Sequence, residues 1–146
     1  MLMRTLFLSL LPLLLCSCSS KPNIDPADFA GAIKDSFQTD IKTDGLKLFT
    51  YKARLVAPGI DRNDKDGVPA PRTAKEMRQQ LAIREARLAV FEQQLVLGLN
   101  NTLKMNQYCQ EGFYELSRVL HSSWGEIRGE CHDGASEMDR IRFNNK

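Results

Sequence analysis

The sequence predicts an α+β domain in which a three-stranded antiparallel sheet is covered by one long helix and a shorter N-terminal helix. Three observations carry that expectation. Thr73-Ala74-Lys75-Glu76 has the spacing of a helix-opening capping box, and helical periodicity follows it to about Gln107. Leu46 to Val56 alternates as a half-buried strand does. Two further alternating runs, within residues 108–121 and 126–132, flank Ser122-Ser123-Trp124-Gly125 and read as a β-hairpin.

The chain opens with a single positive charge, Arg4, followed by about ten almost unbroken apolar residues, Leu6 to Leu15. This is the charged and apolar pattern of a secretory signal. A membrane-spanning helix needs roughly twenty apolar residues, and Pro12 interrupts this run, so the stretch exports the chain and does not anchor it. Next comes Leu15-Cys16-Ser17-Cys18, which resembles the lipobox of bacterial lipoproteins: leucine at minus three and a small residue at minus one precede the lipidated cysteine. Cys18 fits that pattern. Cys16 does not, because bulky Leu15 precedes it. The alternative is an ordinary cleaved signal peptide that contains cysteines. The resemblance implies that residues 1–17 are removed and that Cys18 carries the acyl chains, palmitate among them. With Ser19 and not Asp in the next position, it also implies an outer-membrane anchor in a Gram-negative bacterium, with the domain in the periplasm.

Cysteine parity agrees with that reading. Cleavage discards Cys16 and acylation consumes Cys18, which leaves Cys109 and Cys131 to form one disulfide in an oxidising compartment. Residues 18–24 form a tether of about 20 Å at full extension, so the domain over residues 25–146 is held close to the lipid. The processed chain has 129 residues (146 − 17), enough for one core, and loss of Arg4 lowers the formal charge from +2 to +1. A surface so balanced, on an exported chain, argues against nucleic acid as a partner.

Each element has its own signals. Asp25-Pro26-Ala27-Asp28 is a helix start, and Phe29, Ile33 and Phe37 recur every four residues, predicting a helix whose stripe packs on the core or meets the membrane or a partner. Asp44-Gly45 marks a turn into the strand at 46–56, with Phe49, Tyr51, Ala53 and Leu55 on one face and Thr50, Lys52 and Arg54 on the other. Residues 57–72 form a loop rich in Pro, Gly, Asp and Asn. Its Asp61 to Gly67 segment resembles a calcium loop only superficially: with Gly67 at position six, Arg62 and Thr73 occupy the first and twelfth positions, where acids are required.

The long helix uses Met77, Leu81, Leu88, Phe91, Leu95, Leu99 and Leu103 in steps of three, four or seven, and it should run about 50 Å. That is long for a domain of this size, so a break or kink is expected at Gly98-Leu99-Asn100-Asn101. Arg72, Lys75, Arg78, Arg84 and Arg87 crowd its first half against Glu76 and Glu85. A solvated face explains such a run; contact with anionic headgroups or an acidic partner is its functional reading. A Cys109–Cys131 bridge would tie the exit of this helix to the end of the hairpin. The Cys-Gln-Glu-Gly-Phe to Arg-Gly-Glu-Cys arrangement resembles a loose pattern in small proteobacterial envelope proteins of unknown function, over this third of the chain. The tail, with Met138, Ile141 and Phe143 among charges, suits a short helix or a further strand.

No catalytic residue, cofactor site or metal site emerges. His121, His132 and the cysteines lack zinc-ligand spacing, Cys131-His132 is adjacent in sequence and so does not aim a base at a nucleophile, and no phosphate loop or nucleophile elbow occurs. The expectation is a non-enzymatic binding or envelope-assembly accessory, held to the membrane through Cys18 and serving an envelope protein partner. The alternatives are a periplasmic ligand-binding or hydrolase-inhibitor protein acting through the 57–72 loop, and, by analogy of size, disulfide and anchor, a secretin pilotin.

Overall fold

The computed structural model describes residues 22–29, 32–56 and 70–143. The lipobox with Cys18, residues 18–21 of the tether and the Asp61 to Gly67 segment lie outside these residues. Within them, the order is a 3-10 turn at Pro26–Phe29, strands β1 (Ile33–Ile41) and β2 (Lys47–Leu55), helix α1 (Ala74–Asn106), strands β3 (Phe113–Leu120) and β4 (Trp124–Cys131), and helix α2 (Glu137–Phe143). The strands form one antiparallel sheet in the order β1-β2-β4-β3. The α+β class, the long helix and the hairpin match expectation. The sheet has four strands and not three, and the second helix stands at the C-terminus.

The N-terminal helix is corrected to a turn followed by a strand, and the reason lies in the spacing. The start signal itself works: Asp25 Oδ1 accepts the Ala27 amide at 2.9 Å. A repeat of four, however, is close to the helical period and is also a multiple of two, so Ile33, Phe37 and Ile41 share a face in a strand as well. Between them on that face stand Asp35 and Thr39, which β pairing satisfies and a helix stripe would not. Asp35 accepts the Tyr51 hydroxyl at 2.8 Å, and Thr39 Oγ1 donates to the Phe143 carbonyl at 3.3 Å.

Lys47, Phe49, Tyr51 and Ala53 are buried on the inner face of β2, while Lys52 and Arg54 are exposed on the outer face, as alternation requires. Ile127, Gly129 and Cys131 of β4 continue the inner face, and Phe91, Leu95, Leu99 and Leu103 of α1 are buried above the sheet. Each such side chain contributes about 1.5–3 kcal/mol by leaving water. A connected series of ring contacts, Phe113–Phe49 (5.2 Å), Phe49–Phe37 (5.6 Å), Phe37–Tyr108 (5.8 Å) and Tyr108–Phe143 (4.8 Å), links both edge strands to α2.

Helix α1 begins with both halves of the capping box: Thr73 Oγ1 accepts the Glu76 amide at 3.2 Å, and Glu76 Oε2 accepts the Thr73 amide at 3.2 Å. It ends at Gln107 in the left-handed conformation. The expected break at Gly98 does not occur, and the helix is continuous. Gly98 serves close approach: a Cβ there would collide with the Tyr51 hydroxyl. Three contacts fix the direction of the helix over the sheet. Tyr108, just past its end, donates to the Leu48 carbonyl at 3.0 Å, Gly98 sits over Tyr51, and Leu95 lies against Gly125, the partner of Ala53. The helix therefore runs antiparallel to β2, and its buried residues, Phe91 to Leu103, lie in its second half, with none of residues 74–90 buried.

Candidate functional site

The disulfide forms between Cys109 and Cys131, with the Cα atoms 5.0 Å apart. It closes the chain from the exit of α1 to the last residue of β4, a constraint worth about 3 kcal/mol in the chain-entropy account. Beside it lies a charged cluster that sequence reading missed. Lys47 is fully buried, with Nζ 2.7 Å from Asp133 Oδ2, 3.4 Å from Asp139 Oδ2, and 5.1 Å from the centre of the Tyr108 ring. Asp139 Oδ2 also accepts the Ser136 amide and hydroxyl at 2.9 and 2.8 Å, while Asp133 Oδ1 accepts the amides of Gln110 (3.1 Å) and Glu111 (3.5 Å). Burial works against both carboxylates. The Lys47 hydrogen bond, with backbone donors, outweighs it at Asp133, and the Ser136 bonds, then Lys47, outweigh it at Asp139, so both titrate below the ordinary range. Burial, then the Asp35 hydrogen bond, drives Tyr51 upward, and burial does the same to Tyr108.

This arrangement is a clamp. The cation is sealed from solvent, each carboxylate it meets also accepts hydrogen bonds from elsewhere, and the two contacts tie the start of β2 to the disulfide turn and to the first turn of α2. The signal for α2 was present in Ser136-Glu137-Met138-Asp139. Ser136 Oγ accepts the Asp139 amide at 3.1 Å, so the pair caps the helix with Asp in place of the usual Glu.

The structure does not bring the histidines together. His121 stacks on Trp124 at the hairpin turn (ring centres 5.9 Å), and His132, at the far end of β4, meets the Glu111 carbonyl at 2.9 Å and the Tyr114 ring. Among the described residues no three His, Cys, Asp or Glu side chains converge as a metal-binding group.

Among the described residues, the sheet face opposite α1 carries several exposed side chains, Lys52, Arg54, Tyr114 and Arg128 among them. Its outward positions are read from the register. Tyr114, Ser117 and Val119 of β3 pair with Glu130, Arg128 and Glu126 of β4, which pair in turn with Leu48, Thr50 and Lys52 of β2. At Leu116 the register slips by one residue, a bulge that leaves Leu116 unpaired. Tyr114, Leu116, Val119 and Trp124 are all exposed. Lys52 pairs with Glu126 at 3.0 Å, whereas the Arg128 side chain forms no hydrogen bond or ion pair with another described residue. Arg128 borders a depression of about 230 Å³ lined also by Gln38, Asp40, Leu48, Thr50 and Leu116. A guanidinium beside Leu48 and Leu116, with Tyr114 and Trp124 exposed on the same face, has the composition of an interface anchor.

Compared with known proteins, the chain matches no family model, and no curated protein or solved structure is similar to it.

Proposed function

We propose that the protein is an outer-membrane lipoprotein in which Cys18 carries the lipid, residues 18–24 form the tether, and the domain over residues 25–146 works in the periplasm as a non-enzymatic binding accessory. The open sheet face is its docking surface, and the partner is an envelope protein. The lipobox-like stretch at Leu15-Cys16-Ser17-Cys18 supports the location. The observation that carries the activity is Arg128 at a depression lined by Gln38, Asp40, Leu48, Thr50 and Leu116, with Tyr114, Val119 and Trp124 exposed elsewhere on the same face. A partner that offers a carboxylate to Arg128 and an apolar side chain to Leu116 satisfies both. The non-enzymatic reading draws support from the groups most suited to nucleophilic work being committed elsewhere: Cys109 and Cys131 to each other, Lys47 to two carboxylates.

Two measurements test this. Mass spectrometry of the processed N-terminus is expected to show acylated Cys18, and a bare N-terminus refutes the anchor. A photo-crosslinking residue at Val119 in living cells is expected to trap one discrete envelope protein, and Arg128→Glu should abolish the adduct without moving the thermal midpoint. An adduct indifferent to Arg128→Glu removes the sheet face as the docking surface.

A further inference from the structure

We propose that β3 is the interface of a two-fold symmetric dimer, in which the β3 strands of two copies pair antiparallel and join two four-stranded sheets into one; this stands apart from the lipid-anchor and docking-face readings above. Among the described residues β3 is an outermost strand, paired with β4 alone, so the backbone donors and acceptors along its other edge meet no strand. Short length, lysine and proline commonly blunt such an edge. β3 runs for eight residues, Phe113 to Leu120, without lysine or proline, and its two charges, Glu115 and Arg118, have opposite signs. It also offers apolar area to bury. Tyr114, Leu116 and Val119 are 63%, 57% and 46% exposed, whereas β1, the other outermost strand, exposes no large apolar side chain.

The order of side chains identifies the occupant as a second copy. Because the register with β4 slips at Leu116, the facing of side chains is reset in the middle of the strand. Phe113, Glu115, Arg118 and Leu120, opposite Cys131, Gly129, Ile127 and Gly125, stand on the α1 side, while Tyr114, Ser117 and Val119 stand on the other with Leu116, which lines the depression there. An antiparallel copy whose axis passes between Leu116 and Ser117 then sets Phe113 against Leu120, Tyr114 against Val119 and Glu115 against Arg118, each pair on a common face and each made twice. In a regular strand Glu115 and Arg118, three apart, would face opposite ways; the bulge makes this register available. Arg118 spends three of its five N–H groups inside its own copy, two on Glu115 at 2.9 and 2.6 Å and one on Glu92, so two remain for Glu115 of the other copy. A foreign strand would have to match this order of apolar, acidic and basic positions; β3 matches it by symmetry.

The test is sedimentation equilibrium of the complete processed chain in density-matched detergent, where the parent should give the mass of a dimer at micromolar concentration. Glu115→Arg alone and Arg118→Glu alone each oppose like charges twice and should raise the dissociation constant by about tenfold or more. Mixed in equal amounts they should recover a heterodimer, because one copy then brings only bases to the edge and the other only acids. Val119→Lys touches neither charge; it should weaken the dimer as strongly while the circular dichroism spectrum stays that of the parent, and it decides the matter if a charge variant fails to fold. A parent that is monomeric throughout, a dimer that survives Glu115→Arg and Val119→Lys, or a mixture of folded charge variants that stays monomeric overturns the proposal. So does a monomer whose β3 amides become protected from exchange only when a different envelope protein is added, which points to strand donation by that protein.

Discussion

Replacing Lys47 by Met removes the cation from the clamp while keeping an unbranched side chain of similar length. Asp133 and Asp139, with side chains only 16% and 10% exposed, then face each other without it. Breaking a buried pair from one side costs about 3–5 kcal/mol when the orphaned charge has no other partner. Here Ser136 still serves Asp139, and the Gln110 and Glu111 amides still serve Asp133, so a loss of about 2–4 kcal/mol is expected. At about 3–5 °C per kcal/mol for a domain of this size, the thermal midpoint should fall by on the order of 10 °C. Guanidinium titration followed by circular dichroism gives the free energy directly. The pH dependence has a definite sign. Both carboxyls titrate below their ordinary value in the folded state, so their contribution is present above the unfolded pKa, near 4, and is lost as pH falls through the lower folded values. In Lys47→Met those values rise, and the acid-dependent loss shrinks. A variant within about 1 kcal/mol of the parent at pH 7, with an unchanged acid limb, would refute the clamp.

The remaining expectations concern covalent and steric features. Gly98→Ala should destabilise by about 2 kcal/mol or more, because the added methyl meets the Tyr51 hydroxyl, and Tyr51→Phe should recover part of that loss in the double variant, read from a denaturation cycle. Alkylation under non-reducing, denaturing conditions should find no free thiol at Cys109 or Cys131, and the Cys109→Ala/Cys131→Ala variant should lose about 3 kcal/mol in the same titration.

Signals that act over a few residues were readable, and those that depend on which strands meet were not. Thr73 and Glu76 announce α1 within four residues, and the alternation of Phe49, Tyr51 and Ala53 fixes the face of β2. Phe29, Ile33 and Phe37 could not decide between helix and strand, because the tie is broken by Tyr51 reaching across to Asp35 from the neighbouring strand. Gly98 looked like a helix breaker until its opposite number was known. Lys47 lies one step before Phe49 on the same face and so was legible as an inward residue, but its two carboxylates come from more than eighty positions away. Arg128 has an ordinary place in an alternating strand; only the register that puts Leu116, Thr50 and Gln38 around it sets it apart.

The order of the strands has a mechanical consequence. β1 is both the first strand of the chain and an outermost one, joined to the sheet through β2 alone. A tug delivered through the N-terminus therefore unzips the Ile33 to Leu55 end first and works inward rung by rung, each step resisting only weakly, while the portion knotted by the disulfide feels the strain last.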